Sequence, residues 1–283
     1  MSDAYSRKMV KVESYTLLRE QDTDKQPVLD VRNLGIDFGG LTAVDGFSIS
    51  IGPTEISGLI GPNGAGKTTI FNLLTSVYQP TRGSILINGV DTKGMNTAKV
   101  NRLGIARTFQ NIRLFGEMSA LDNVKVGMHN QIKCTFADSL LRLPGYFKAE
   151  KKANEKAMEL LDFMGLADLA DKKAGSLPYG VQRRLEIARA LATDPSIVLL
   201  DEPAAGMNPS ETTELMHQIR RIRDTFQVAI FLIEHDMNLV MNVCEAIAVL
   251  NYGRIIAKGS AEEIKNDPKV IEAYLGRKEN GQA

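Results

Sequence analysis

Gly61-Pro62-Asn63-Gly64-Ala65-Gly66-Lys67-Thr68 is the stretch on which the reading of this chain turns. A glycine, four free positions and then Gly-Lys-Thr is the spacing of a phosphate-binding loop. Glycine lets the backbone double back because no Cβ stands in the way. Successive N–H groups then converge on an anion. Lys67 adds a full positive charge for β- and γ-phosphates, and the Thr68 hydroxyl is a ligand for Mg²⁺. The flanks agree with this reading. Apolar Ile56 to Ile60 predicts a strand entering the loop, and Thr69 to Ser76 predicts a helix leaving it. The positive end of that helix would face the same phosphates.

Composition bounds the rest. The chain has 283 residues, 43% hydrophobic and 24% charged, which suits one large globular domain or two modest ones. Its 34 basic and 34 acidic residues cancel, so the balance does not point to nucleic acid as a partner. Cys134 and Cys244 are the only cysteines, which is the pattern of two reduced thiols and not of a disulfide framework. The apolar run Val228 to Ile233 has six residues, against the ~20 needed to cross a bilayer. The polar N-terminus lacks the apolar core of a secretory signal. The expectation is a chain that stays where it is made and meets a membrane only through partners.

Residues 1–27 read as a polar tail ending at Pro27. Strand character follows from Val28, at Phe47 to Ile51 and at Ser84 to Ile87. From about Arg113 to Leu191 the pattern turns helical. Ala153, Ala157, Leu160, Leu161 and Met164 form an apolar stripe at helical spacing. Arg142-Leu143-Pro144-Gly145 is expected to break that region. Strands return at Ile197 to Leu200, Val228 to Ile233 and Ile247 to Leu250, with room for helices between them, such as Glu211 to Arg223. Strands alternating with helices predict a mainly parallel sheet, with the helical middle inserted into it.

The strand Ile197 to Leu200 runs into Asp201-Glu202. Ligands bind at the carboxyl ends of strands in open α/β sheets. Asp201 there suits Mg²⁺, and Glu202 is placed to orient or deprotonate a water. His235 follows the strand ending at Ile233 and is one of three histidines. Gln110 follows Ile105 to Phe109, and its amide is a possible ligand for Mg²⁺ or a contact for water.

In this order the elements resemble the ATP-binding cassette ATPases, over about Val28 to Gly276. The resemblance implies a P-loop NTPase core of RecA type: a mainly parallel sheet, a small antiparallel β subdomain and a helical subdomain at about 111–191. It makes ATP the nucleotide, held by Gly61 through Thr69, with Phe38 stacking on adenine where the family more often has Tyr. Gln110 matches the Q-loop, which links the Mg²⁺ site to the transport partner, and His235 matches the switch histidine. Pro178, Tyr179, Gly180, Val181 and Gln182 occupy the signature position, after Leu177. There Pro178 replaces a serine, Tyr179 a glycine and Val181 a glutamine. In the family this segment acts on the nucleotide of the other subunit. The departure therefore hints at a heterodimer of unequal sites, with a homodimer of weaker γ-phosphate contacts still open.

Asp201-Glu202-Pro203-Ala204-Ala205-Gly206-Met207-Asn208-Pro209 and the segment Asn266 to Gly276 are similar to the ATPases of branched-chain amino acid importers. The subfamily's C-terminal segment would cover about 253–276, and residues 277–283 a second polar tail. The resemblance implies two permease subunits, a second ATPase, an extracytoplasmic binding protein acting indirectly, and a place on the inner face of the cell membrane. Ile112, Leu114 and Phe115 are either the dock for permease helices or part of the helical core. Urea import and lipopolysaccharide export share most of these motifs. A soluble cassette ATPase acting on ribosomes or DNA, and a small-molecule kinase, are the rivals from other classes.

Overall fold

The computed structural model describes residues 26–129 and 144–275. Most of the first polar tail, all of the second, Gly276 and Cys134 lie outside the described residues. The strands in chain order are β1 (Leu29–Phe38), β2 (Leu41–Ile51), β3 (Ile56–Ile60), β4 (Arg82–Ile87), β5 (Val90–Asp91), β6 (Ile105–Arg107), β7 (Ile197–Asp201), β8 (Ala229–Ile233), β9 (Ala246–Asn251) and β10 (Arg254–Gly259). The helices are α1 (Lys67–Leu74), α2 (Thr97–Arg102), α3 (Ala120–Gly127), α4 (Pro144–Phe163), α5 (Tyr179–Leu191), α6 (Pro209–Phe226), α7 (Met237–Val243), α8 (Ala261–Asn266) and α9 (Pro268–Leu275). None of these helices is long and apolar enough to cross a membrane.

Contacts divide the chain into two units: residues 106–195, and the flanking segments up to 105 and from 196. In the flanking unit one sheet runs β10-β9-β3-β8-β7, and β6 continues it from Ile105, where the unit ends. β3 lies between β9 and β8 and is parallel to both. All five residues of β3, and all five of β8, are buried. A strand covered on both faces is near-continuously apolar instead of alternating; β8, Ala-Ile-Phe-Leu-Ile, reads that way, while β3 carries a buried Ser57. β10 pairs antiparallel with β9 at the edge.

The second sheet is antiparallel, in the order β2-β1-β4-β5. Its apolar face changes phase within β1. Leu29 and Val31 are buried, and then Leu34 and Ile36. The register shifts between Val31 and Leu34, where Asn33 takes a left-handed φ of 47°. One extra residue at a bulge returns the later side chains to the core side. Phe47 of β2, opposite Leu34, is also buried.

Residues 106–195 contain α3, α4 and α5. Ala153, Ala157, Leu160, Leu161 and Met164 are all buried, with Met164 just past the end of α4. α4 runs Pro144–Phe163, so Pro144 and Gly145 of the expected break lie at its start, while Arg142 and Leu143 lie outside the described residues. Proline is tolerated at a first helical position because its missing N–H would have no partner there. α3 and α5 approach closely. A Cβ on Gly127 would lie 2.4 Å from the Arg189 carbonyl oxygen.

α1 packs on the main sheet through Phe71, whose ring lies 5.4 Å from that of Phe231 on β8. Both rings are fully buried in one apolar cluster. Phe231→Ala is expected to lower unfolding free energy by about 3–5 kcal/mol in a denaturant titration. A loss below about 1 kcal/mol would show that this contact does not anchor α1.

Candidate active site

The phosphate loop joins β3 to α1, and its conformation depends on glycine at two close approaches. Gly61 has φ 152°, and a Cβ there would lie 2.1 Å from the Leu250 carbonyl oxygen. Gly66 has φ 105°, and its Cβ would lie 3.0 Å from the Ala43 carbonyl oxygen. Any side chain would push the loop off β9 or β2. At the tip there is room, since a Cβ on Gly64 would meet nothing within 4 Å, and glycine is favoured there by its φ of 79° instead. The loop is braced from outside by the Gly253 amide, which donates to the Ala65 carbonyl at 2.8 Å.

α1 begins at Lys67, two residues earlier than the sequence predicts, so Lys67 and Thr68 form its first turn. Gly66 caps it without a side-chain hydrogen bond. The first N–H groups of the helix, with the positive end of its dipole, therefore stay available to an anion. Lys67 is 7% exposed. Its ammonium donates to the carbonyls of Gly61 at 2.6 Å and Pro62 at 3.0 Å. Burial pushes its pKa down, and the nearby carboxylates of Glu202 and Asp201 oppose that shift. The structure thus brings the loop and the Asp-Glu pair together. Thr68 is exposed, while Asp201 at the end of β7 is 4% exposed.

Glu202 leaves β7 in a left-handed conformation, φ 46°, uncommon for a residue with a side chain. Its amide donates to the Ile233 carbonyl at the end of β8, at 2.9 Å. That bond ties the two strand ends together. The His235 ring follows β8, with Nδ1 3.8 Å from a Glu202 carboxylate oxygen and 3.9 Å from one of Glu234. At these separations Glu202 is a neighbour of the imidazole and not its hydrogen-bond partner.

Glu234 has a role that the sequence reading left unassigned. It is fully buried and accepts the Ala204 amide at 2.8 Å and the His235 amide at 3.1 Å. Burial raises its pKa, and these backbone donors pull it back. One side chain therefore fixes both the turn after Glu202 and the start of the His235 turn. A glutamate directly after an apolar strand and before His235 was the available signal.

Phe38 stands at the end of β1, where Gly39 and Gly40, both with positive φ, turn the chain into β2. Two such residues suit a tight hairpin. The Phe38 ring is half exposed and meets Tyr78 edge-on at 5.3 Å and 74°, an aromatic neighbour the sequence reading missed.

Gln110 and the segment Pro178 to Gln182 belong to the unit of residues 106–195 and come together there. Pro178 caps α5 without a side-chain bond, so Tyr179 and Gly180 form an open helix start. Tyr179 is exposed, Val181 is half-buried, and Gln182 donates to the Leu177 carbonyl at 2.7 Å. The Gln110 side chain is exposed, and its backbone carbonyl accepts from Arg183 at 2.7 Å.

The loop fits a polyphosphate, given glycine-dependent turns, an uncapped helix start and an ammonium at one point. Among the described residues no group of three His, Cys, Asp or Glu side chains is set up to hold a metal. Mg²⁺ is commonly held through one or two carboxylates together with substrate phosphates and waters, and Asp201 is such a carboxylate.

A family model described as "ABC transporter" matches residues 44–205. A second, "Branched-chain amino acid ATP-binding cassette transporter", matches residues 254–280. The chain is 46% identical to the high-affinity branched-chain amino acid transport ATP-binding protein BraF of Pseudomonas aeruginosa, covering 89% of this chain and 98% of that one. It is 47% identical to LivG of Escherichia coli K12, with the same coverage. A solved ATP-binding cassette of an ABC transporter, in its ADP conformation, superposes with a TM-score of 0.77 at 32% identity, over 89% of this chain and all of that one. The chain belongs to the ATP-binding cassette transporter ATPases.

Proposed function

We propose that this chain is the ATP-hydrolysing subunit of an importer of branched-chain amino acids, and that Lys67, Asp201, Glu202 and His235 carry its chemistry. The observation that supports this best is the Lys67 ammonium, held on the Gly61 and Pro62 carbonyls within the field of Glu202 and Asp201. Phosphate oxygens entering the loop offer that ammonium stronger, charged acceptors than two carbonyls.

Phe38 stacks on adenine. The loop from Gly61 to Thr69, through its backbone N–H groups (Pro62 has none), and the Lys67 ammonium hold the phosphates. Mg²⁺, when bound, neutralises charge on the phosphates, and Thr68, Asp201 and Gln110 are the residues that would hold it. Glu202 takes a proton from the attacking water, whose oxygen bonds to the γ-phosphorus as the bond to ADP breaks. The His235 imidazole donates to a γ-phosphate oxygen. Such groups act by positioning and by stabilising charge in the transition state.

The work comes from closure of two cassettes, each offering Pro178 to Gln182 to the other's ATP. ATP shifts the open–closed equilibrium only by its difference in affinity for the two states. The second cassette is a different chain or a second copy. Two permeases bind on the surface carrying Ile112, Leu114 and Phe115, the last half exposed. They hold the chain at the inner face of the membrane, and an extracytoplasmic binding protein delivers the solute to them. The match of residues 254–280 favours branched-chain amino acids over urea or lipopolysaccharide. Nucleic acid has no part in this reading.

Lys67→Ala is expected to weaken binding of magnesium-loaded ATP by about 10- to 100-fold, the worth of its charged hydrogen bonds. Unchanged affinity in a calorimetric titration would remove Lys67 from the site. Glu202→Gln is expected to keep ATP affinity and to slow single-turnover hydrolysis by about 10²- to 10⁴-fold. Hydrolysis at the wild-type rate would refute the role of Glu202 as base.

A further inference from the structure

Arg183 has 0% exposure and lies outside the phosphate loop and the Asp201-Glu202 pair in the sequence. It lies in the first turns of α5. One guanidinium nitrogen donates to the Phe109 carbonyl at 2.5 Å and to the Glu186 carboxylate at 3.0 Å. The other donates to the Gln110 carbonyl at 2.7 Å and to the Tyr179 hydroxyl at 2.9 Å. Glu186, 1% exposed, completes the arrangement by accepting the Arg113 amide at 3.1 Å. Burial raises the Glu186 pKa, while that amide and Arg183 lower it.

These contacts have a consistent geometry. Residues 109 to 113 carry no helix or strand, so their carbonyls and amides need partners from outside the segment. Two residues one turn apart on α5 supply them, a cation for the carbonyls of 109 and 110 and an anion for the amide of 113. The segment is clipped to α5 at both ends, while the Gln110 side chain stays exposed. Tyr179, beside the open start of α5, joins the same guanidinium.

We propose that Arg183 and Glu186 form a staple that makes the Gln110 segment and the first turn of α5 move as one body, with Arg183 the positioning residue for both. The staple rests on the functional reading above, since it concerns the two segments assigned there to the Mg²⁺ site and the partner's nucleotide. Through it, a shift of Gln110 is transmitted to Tyr179 and Gly180 without a flexible joint between them.

Removing one partner alone would leave a buried unpaired charge and risk unfolding. Replacing both, Arg183→Met with Glu186→Leu, keeps volume without an orphan ion and is the folding-compatible variant. The staple has a reporter independent of activity: hydrogen exchange at the Arg113 amide. In the wild-type chain that amide is expected to be protected, and in the double variant its exchange is expected to rise by at least about 10-fold. In the complex purified with its membrane partners, affinity for magnesium-loaded ATP is expected to stay within about 2-fold and kcat to fall by at least about 10-fold. Wild-type exchange of the Arg113 amide at an open-chain rate would overturn the staple, whether or not the variant folds. So would a folded variant with wild-type kcat, because a merely structural pair would change stability and leave turnover alone. Absence of ATP binding by the wild-type chain would instead overturn the nucleotide reading, and the Arg113 measurement is separate from it.

Discussion

The site is organised around one constraint: an ammonium must be kept nearly out of water at the end of the central strand without a permanent anion of its own. Lys67 meets this by leaning on the carbonyls of its own loop, Gly61 and Pro62. That is possible only because the loop folds back over it, which requires glycine where Gly61 passes the Leu250 carbonyl and Gly66 passes the Ala43 carbonyl. The parallel sheet supplies the rest. β3 delivers the loop, and β7 and β8, in register beside it, deliver Asp201 and the His235 turn at their carboxyl ends. Burial disfavours the charge on Lys67, and the carboxylates of Glu202 and Asp201 retain it. The balance leaves a cation ready to exchange two neutral acceptors for charged ones.

A second feature recurs on both sides of the chain's division: a buried glutamate fixing backbone amides of a functional turn. Glu234 holds Ala204 and His235 in one unit. Glu186 holds Arg113 in the other, with Arg183 as its counter-ion. Taking a carboxylate out of water is costly unless donors replace the lost hydration. Both residues recover that cost from N–H groups belonging to segments that would otherwise be loose. Chemistry carried on loops thereby acquires the rigidity of the elements beneath them.

Much of this was legible from the sequence, because local chemistry dictated it. The phosphate loop needs Gly, Lys and Thr in fixed positions, and Asp201-Glu202 follows four apolar residues that suit only a buried strand. The helical stripe from Ala153 to Met164 lies in the core as its spacing implied. What escaped was set by contacts distant in sequence. The bulge at Asn33 is invisible to simple alternation. Tyr179 and Val181 read as departures from a signature, which drew attention to what was lost. The gain lay a few residues on, in Arg183 and Glu186, a charged pair at helical spacing within an otherwise buried face. Glu234 was passed over beside His235 for a related reason: a carboxylate that serves the backbone has no motif.

The central claim is that this loop grips a triphosphate. Titration of magnesium-loaded ATP into the intact chain, followed by calorimetry and by competition with ADP, tests it most directly. Saturable binding of one nucleotide per chain, displaced by ADP, is the result the account requires. A well-folded chain that takes up no nucleotide by either measurement would contradict it.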